Sequence, residues 1–359
     1  MNRLCAAAAL VGTIFLFSLV LIPLANALPT VSVSPSSWTL DVGQSKTFTA
    51  TASGGSGSYS SYQWYVGGVS QSGATASTFS YSPASSGSPL ITVTVTDTLG
   101  ATSAQSTAPS VTVHSALVAP TASASKSTVD QGQTSILTST AVSTGTSPYS
   151  YQWFSEAPGA GSYSLISSAT SSSYSFVTSG STTIGSWSFE LQVTDSASTP
   201  VVVVSSAVFV LVNSGPTDSI TPSSWTLDVG QSKTFTATAS GGSGSYSSYA
   251  WYVDSTLQSG QTAATFSYST GSSGSHSITA TVTDNLGATS PQSTVVSVTV
   301  NSALVPPSVS ASLGTVDQGQ TSSLTSTAVS TGTSPNGYGE CCSDCKCVAF
   351  YVDYGHWSE

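Results

Sequence analysis

Hydroxyls apart, few side chains in this 359-residue chain are of types that do covalent or acid–base chemistry, and most of them stand apart. The densest group is Cys341, Cys342, Cys345 and Cys347, followed by His356. Thiolates and an imidazole are ligands for a soft metal ion. The C-C-x-x-C-x-C spacing is not that of a structural zinc site, and thiols of an exported chain tend to oxidise to disulfides, so metal and disulfide readings compete. A third reading fits the abruptness best. After Pro335 a repeated sequence stops and an unrelated composition begins, as a reading-frame shift or a mis-joined gene fragment would produce. Of the other histidines, His114 and His276, the second stands where an earlier copy of the same repeat has Pro89. No G-x-S-x-G elbow lies between a strand and a helix, no carboxylates are paired at a catalytic spacing, and no glycine-rich loop opens a helix. The expectation is a chain without a catalytic site or a cofactor.

The aspartates recur in two settings. Asp41, Asp130, Asp228 and Asp317 open D-x-G-Q sequences, and Asp97, Asp195 and Asp284 close V-T-D sequences. Calcium takes six to eight oxygens, usually with carboxylates converging on it. Each of these acids is alone in its local sequence, and aspartate at a turn bonds its own backbone, so turn-capping is the expected role. A meeting of acids at a domain joint, with calcium there, stays open. Trp64, Trp153 and Trp251 each follow an aromatic residue about 20 positions after a D-x-G-Q turn. They are read as core anchors rather than a sugar-stacking platform, because a large ring on a central strand is what a sandwich packs around.

The elements that must position these residues are repeats. Residues 36–62 and 223–249 are identical, and the offset of 187 continues through Trp64 and Trp251, Asp97 and Asp284, and Gly100 and Gly287. A second unit keeps the same offset: 128–148 returns at 315–335 with one change. Successive D-x-G-Q turns are 89, 98 and 89 residues apart, which is one β-sandwich each. Inside the units Ile91, Val93 and Val95 alternate with threonines, and Trp187, Phe189, Leu191 and Val193 alternate with polar residues. Period two predicts antiparallel strands with one buried face. Glycine–serine clusters supply the turns. The fold class expected is all-β: tandem Ig-like, PKD-like, Greek-key β-sandwiches, beads on a string. The expected domains are a leader at 1–27, unit A1 at 28–116, unit B1 at 117–214, unit A2 at 215–302, an incomplete unit B2 at 303–335, and a cysteine-rich tail at 336–359.

The segments VGQSKTFTATASGGSGSYSSYQWYV at 42–66 and ITVTVTDTLGATS at 91–103 resemble the PKD and related Ig-like domains of archaeal and bacterial surface proteins. Unit B is similar to a more distant Ig-like relative through YSYQWF at 149–154 and FELQVTDSAS at 189–198. The resemblance implies spacer or adhesive modules. It lacks the acidic W-D-F-G-D-G loop of PKD domains, since Trp64 is followed by Tyr65-Val66-Gly67-Gly68.

The chain's address and charge narrow the function. Arg3, an apolar run from Leu4 to about Leu24, and Ala25-Asn26-Ala27 read as a secretory leader, with an uncleaved N-terminal anchor as the rival. Charged residues are 6% of the chain, with five Lys plus Arg against 15 Asp plus Glu, a net charge of −10. No basic patch can be built from so few cations, which excludes phosphate-tracking nucleic-acid binding and attraction to anionic membranes. Membrane contact is expected only through the N-terminal segment if it stays uncleaved. The function expected is an exported, non-enzymatic surface protein, a structural spacer or adhesin-like array, located outside the cell or at its surface. Its partners would be cell-surface glycans or proteins. The alternatives are a carbohydrate- or protein-binding module, and a non-catalytic appendage of an exported hydrolase.

Overall fold

Alternation of β-branched and polar residues decides the local structure. In Ile91–Asp97 the residues Ile91, Val93 and Val95 are fully buried, while Thr92, Thr94 and Thr96 are half-buried. Successive side chains of a strand point to opposite faces, so this sequence covers a core with one face and meets water with the other. The computed structural model describes residues 27–328 and 331–332, and these are strands, turns and loops with no helix among them. Residues 1–26 of the leader read at 1–27, and the tail with its four cysteines and His356, lie outside the described residues.

The chain divides into two compact units. The first comprises the residues up to Val118 together with Val142–Tyr149 and Thr194–Val203; the second comprises the rest. The first unit contains β1 (Thr30–Ser34), β2 (Ser37–Asp41), β3 (Lys46–Ser53), β4 (Tyr59–Val66), β5 (Val69–Ser70), β6 (Thr78–Tyr81), β7 (Ile91–Asp97) and β8 (Ser110–His114). One sheet runs β1-β3-β6, another β5-β4-β7, and β2 pairs in parallel with β8. Leu40, Phe48, Trp64, Ile91, Val93, Val111 and Val113 fill the core between them. Trp64 is fully buried; its Nε1 donates to the Ala76 carbonyl at 2.9 Å and its ring stacks on Phe79 at 5.5 Å. Its one polar atom is thereby satisfied inside the core.

The chain after β7 folds back along it, and serine side chains complete the pairing. The N–H of Val95 donates to Ser103 Oγ at 3.0 Å and that of Val93 to Ser106 Oγ at 3.2 Å. The N–H groups of Ser103 and Ser106 return bonds to the Val95 and Val93 carbonyls, each at 2.9 Å. Buried donors of the edge strand are thus answered without a further strand.

The second unit holds two sandwiches' worth of strands. Ala122–Ala124, Thr134–Ser139 and Ser173–Val177 form one sheet. Thr128–Asp130, Val208–Asn213, Gly185–Thr194, Ser150–Glu156 and Ser164–Leu165 form another, with the first two of these parallel. Trp153 is fully buried there, and its Nε1 donates to the Ser171 carbonyl at 3.0 Å. The 187-residue repeat then returns the first unit's strands: Thr217–Thr221, Ser232–Ser240 and Thr265–Ser269 make one sheet, and Trp251 is buried against Phe266 at 5.3 Å. Its opposite sheet is continuous over five strands, from Ser224–Asp228 through Val296–Asn301, Gly274–Asp284 and Tyr246–Val253 to Thr256–Leu257.

In the first copy that second sheet is broken between β8 and β7. Two prolines explain the difference. Pro89 stands at the position of His276, and Pro109 at that of Val296. In the second copy both positions lie in the ladder between Gly274–Ile278 and Val296–Val300. Proline has no N–H to give a ladder. Only the Gly87–Val113 bridge remains, through N–H···O contacts of 2.9 and 2.7 Å.

From residue 303 onward the described chain supplies a ribbon of Val309–Ala311 paired with Leu324–Ser326. Its register repeats that of Ala122–Ala124 with Leu137–Ser139, but all six of its residues are exposed.

Candidate functional site

The V-T-D aspartates sit where a strand meets a turn, and each is held by backbone N–H groups. Asp97 Oδ1 accepts from Leu99 and Ala101 at 3.0 and 2.9 Å, and Oδ2 from Ser56 at 2.9 Å. Asp284 repeats this with Leu286, Ala288 and Ser243 at 3.0, 2.9 and 2.7 Å. Asp195 accepts from Ala197 and Val201 at 3.3 and 2.8 Å, and from Thr146 at 3.4 Å. The N–H that reaches across in each case follows a left-handed glycine: Gly55, Gly145 or Gly242. A Cβ on Gly55 or Gly242 would stand 2.7 or 2.5 Å from the aspartate Oδ2, so only glycine lets that loop close on the acid. Backbone N–H bonds hold Asp97 below the usual carboxylate range, that of Ser56 contributing most.

The D-x-G-Q turns use their acid differently. The turn is closed by the glutamine: Gln44 Oε1 accepts the Asp41 N–H at 2.8 Å, Gln133 Oε1 that of Asp130 at 3.1 Å, and Gln231 Oε1 that of Asp228 at 2.9 Å. This frees the Asp41 and Asp130 carboxyl groups to point elsewhere.

Within the first unit, Asp41 reaches the 146 and 195–199 loops. Thr146 Oγ1 donates to Asp41 Oδ1 at 2.7 Å, Thr39 and Ser198 exchange bonds of 2.9 and 3.1 Å, and Gln44 Nε2 donates to the Thr199 carbonyl at 2.6 Å. Asp41 is 1% exposed, and its Oδ2 has no N–H or O–H donor. The group within hydrogen-bonding reach is the Asp195 carboxyl. Burial first, then this neighbour, push Asp41 up to about 6. Asp195 is pulled the other way. Burial raises it, but the bond from Asp41 and the N–H groups of Val201, Thr146 and Ala197 outweigh that and hold it below the usual range.

Within the second unit the same arrangement recurs at Asp130 and Asp284. Asp130 is fully buried, Asn213 Nδ2 donates to its Oδ1 at 3.1 Å, and its Oδ2 has no donor. Burial and the Asp284 carboxyl push it up to about 6, while the N–H of Ser243 and the bond from Asp130 hold Asp284 low against its own burial. Gln133 Nε2 donates to the Leu286 carbonyl at 2.9 Å beside the pair. So the structure brings Asp41 to Asp195 and Asp130 to Asp284. Asp97 is met by the backbone N–H groups of Ser56, Leu99 and Ala101 and by the Ser56 side chain, and Asp228 is close to Gly332. Thr146, Gln44, Gln133 and Asn213 escape a reading of sequence alone. The available signal is order: every D-x-G-Q acid that gains a carboxyl partner is followed one repeat later by the V-T-D acid it meets.

Among the described residues no three His, Cys, Asp or Glu side chains gather as a metal site. Also among them, no helix is long and apolar enough to cross a membrane. One open concavity of about 520 Å³ lies in the second unit, walled by Tyr174, Phe176, Trp187 and Phe189 with Ser181 and Thr182 at its rim.

Paired sheets around a buried tryptophan, repeated along the chain, define tandem Ig-like β-sandwich domains. Residues 30–110 match the family described as the PKD domain. No curated protein matches the chain. Solved structures similar to it include a Ca2+-stabilized adhesin of an Antarctic bacterium that binds ice, at 13% identity, with 85% of this chain and 84% of that one covered and a TM-score of 0.42. Three N-terminal domains of the outer capsid protein Hoc of bacteriophage RB49 share 14% identity over 76% of this chain and 98% of that one, with a TM-score of 0.34. The fibronectin(III)-like modules of CbhA from Clostridium thermocellum share 18% over 52% and 94%, with a TM-score of 0.27.

Proposed function

We propose that the chain is an exported, non-enzymatic surface protein that works as a structural spacer or adhesin-like array. The observation that carries this reading is the bonding of two D-x-G-Q turns to loops of the repeat that follows, through Asp41, Thr39 and Gln44 in one unit and through Asp130 and Gln133 in the other. An array whose successive repeats are tied by hydrogen bonds transmits position along the chain, which is what a spacer must do. The domains it ties are 28–116, 117–214 and 215–302, with 303–335 as an incomplete fourth. Export is supported by Arg3, the apolar run after it and Ala25-Asn26-Ala27. The test is to produce the chain in a secreting bacterial host. An antibody to residues 215–302 should label intact cells or find the chain in the medium; retention in the cytoplasm would sink the reading.

The concavity walled by Trp187 and Tyr174 favours a second reading, a carbohydrate- or protein-binding module. A glycan and surface-protein array separates the two. A spacer gives no saturable ligand. Saturable binding that is lost on Trp187→Ala, with the melting midpoint kept, would put the binding module first. The third reading, an appendage of an exported hydrolase, is tested by the reading frame of the neighbouring DNA.

A further inference from the structure

We propose that Asp41–Asp195 and Asp130–Asp284 are proton-sharing acid pairs, each holding one proton between two carboxyl groups, so that the bond between successive repeats tightens in mildly acidic surroundings and loosens as pH rises. Two ionised carboxylates are acceptors only and repel at contact. Asp41 and Asp130 are buried, each has one oxygen occupied by Thr146 or Asn213 and an Oδ2 without a donor, and the Asp195 or Asp284 carboxyl stands within hydrogen-bonding reach of each. A buried acceptor with no donor is costly, and a proton on it turns a repulsion into a short, charge-assisted O–H···O bond.

The asymmetry of the environments places the proton. Asp195 and Asp284 each accept three backbone N–H bonds, which favour the anion. Asp41 and Asp130 accept one side-chain bond each, so they carry the proton and donate it. The same census argues against a cation. A divalent ion needs six or more oxygens, and here two carboxylates meet, one of them already engaged by N–H groups. The other titratable or charged groups that face these acids are His114 beside Asp41 and Lys126 beside Asp130; their attraction for the anion is the smallest contribution in each case.

The sign follows from linkage. Asp41 and Asp130 stand above the value of about 3.9 for a free aspartate, so their contribution is fully present below that value and is lost as pH rises through about 6. Asp195 and Asp284 stand below it, so theirs is present above it and is lost as pH falls. Together the bonded pairs are strongest between about pH 4 and 6.

The experiment uses the full chain. Carboxyl carbon NMR with pH titration is the primary readout: Asp41 and Asp130 should titrate well above free aspartate, near 6, and Asp97, which has the V-T-D turn of Asp195 and Asp284, below it. Titration of Asp41 and Asp130 at or under the free value would overturn the proposal. The second readout is the variant Asp41→Asn/Asp130→Asn, whose amides donate where the carboxylic acids would. Wild type should melt higher at pH 5 than at pH 7.5. The double variant should melt higher than wild type at pH 7.5 and lose most of that pH dependence. An unchanged pH slope in the variant overturns the proposal. So does a rise in the wild-type midpoint with millimolar calcium at pH 7.5 that EDTA reverses, since that assigns the pair to a cation.

Discussion

At the scale of single residues, three tryptophans and three glycines carry the most. Trp64→Ala removes a fully buried ring and the bond from its Nε1, and should cost about 3–5 kcal/mol, read as an early transition in calorimetry of the full chain. Gly242→Ala meets both a left-handed backbone and the Asp284 oxygen, and should cost more than about 1 kcal/mol; a midpoint within a degree of wild type would show that the loop yields. The recurrence of tryptophan after D-x-G-Q is visible in the sequence because it is a local pattern. The acid pairs are not. Asp41 and Asp195 lie in different repeats, and nothing near either announces the other. What sequence offers is the turn-capping habit of aspartate, which Asp97, Asp195 and Asp284 follow in their bonds, while at Asp41, Asp130 and Asp228 the glutamine three residues on takes the backbone N–H. A longer side chain reaches back across the turn more easily, and so releases the shorter one.

At the scale of elements, the alternation of Ile91, Val93 and Val95 with threonine made the all-β class legible, because period two leaves no other regular structure. How far each sheet extends was less legible, since that depends on single prolines. The ladder Gly274–Ile278 with Val296–Val300 has no full counterpart at 87–91 and 109–113. Amide hydrogen exchange should therefore be slower in 274–278 than in 87–91, and His276→Pro should bring the two copies level. Equal exchange in the native chain would mean that Pro89 and Pro109 do not set the break. His276 has a second tie that Pro89 lacks, a 2.7 Å contact from Nδ1 to Asp254 in the turn where the first copy has Gly67-Gly68. The ribbon Val309–Ala311 with Leu324–Ser326 should exchange faster than Ala122–Ala124 with Leu137–Ser139, because the same pairing there lacks a buried face. Comparable protection would show that the segment completes a domain by another route.

At the scale of the whole molecule, charge and repetition govern behaviour. With charged residues at 6%, few ion pairs exist for salt to screen, and moderate salt should leave the melting midpoints nearly unmoved. The isoelectric point near 4.3 lies at the lower end of the window in which the acid pairs bond best, so turbidity should peak close to it while the folded repeats are still tied. Alternation of the two unit types has its own consequence. Near-identical neighbours exchange strands during folding, and the two near-identical units here are separated by a different one. A tandem of two A units should refold in lower yield than an A–B tandem, and equal yields would remove this rationale.

The constant 187-residue period, together with acid pairs of one design at both kinds of joint, makes the chain extensible. Duplication of one full period anywhere in the array inserts one joint of the Asp41 type and one of the Asp130 type, and leaves the existing ones untouched. Copy number can therefore drift between generations without any compensating mutation.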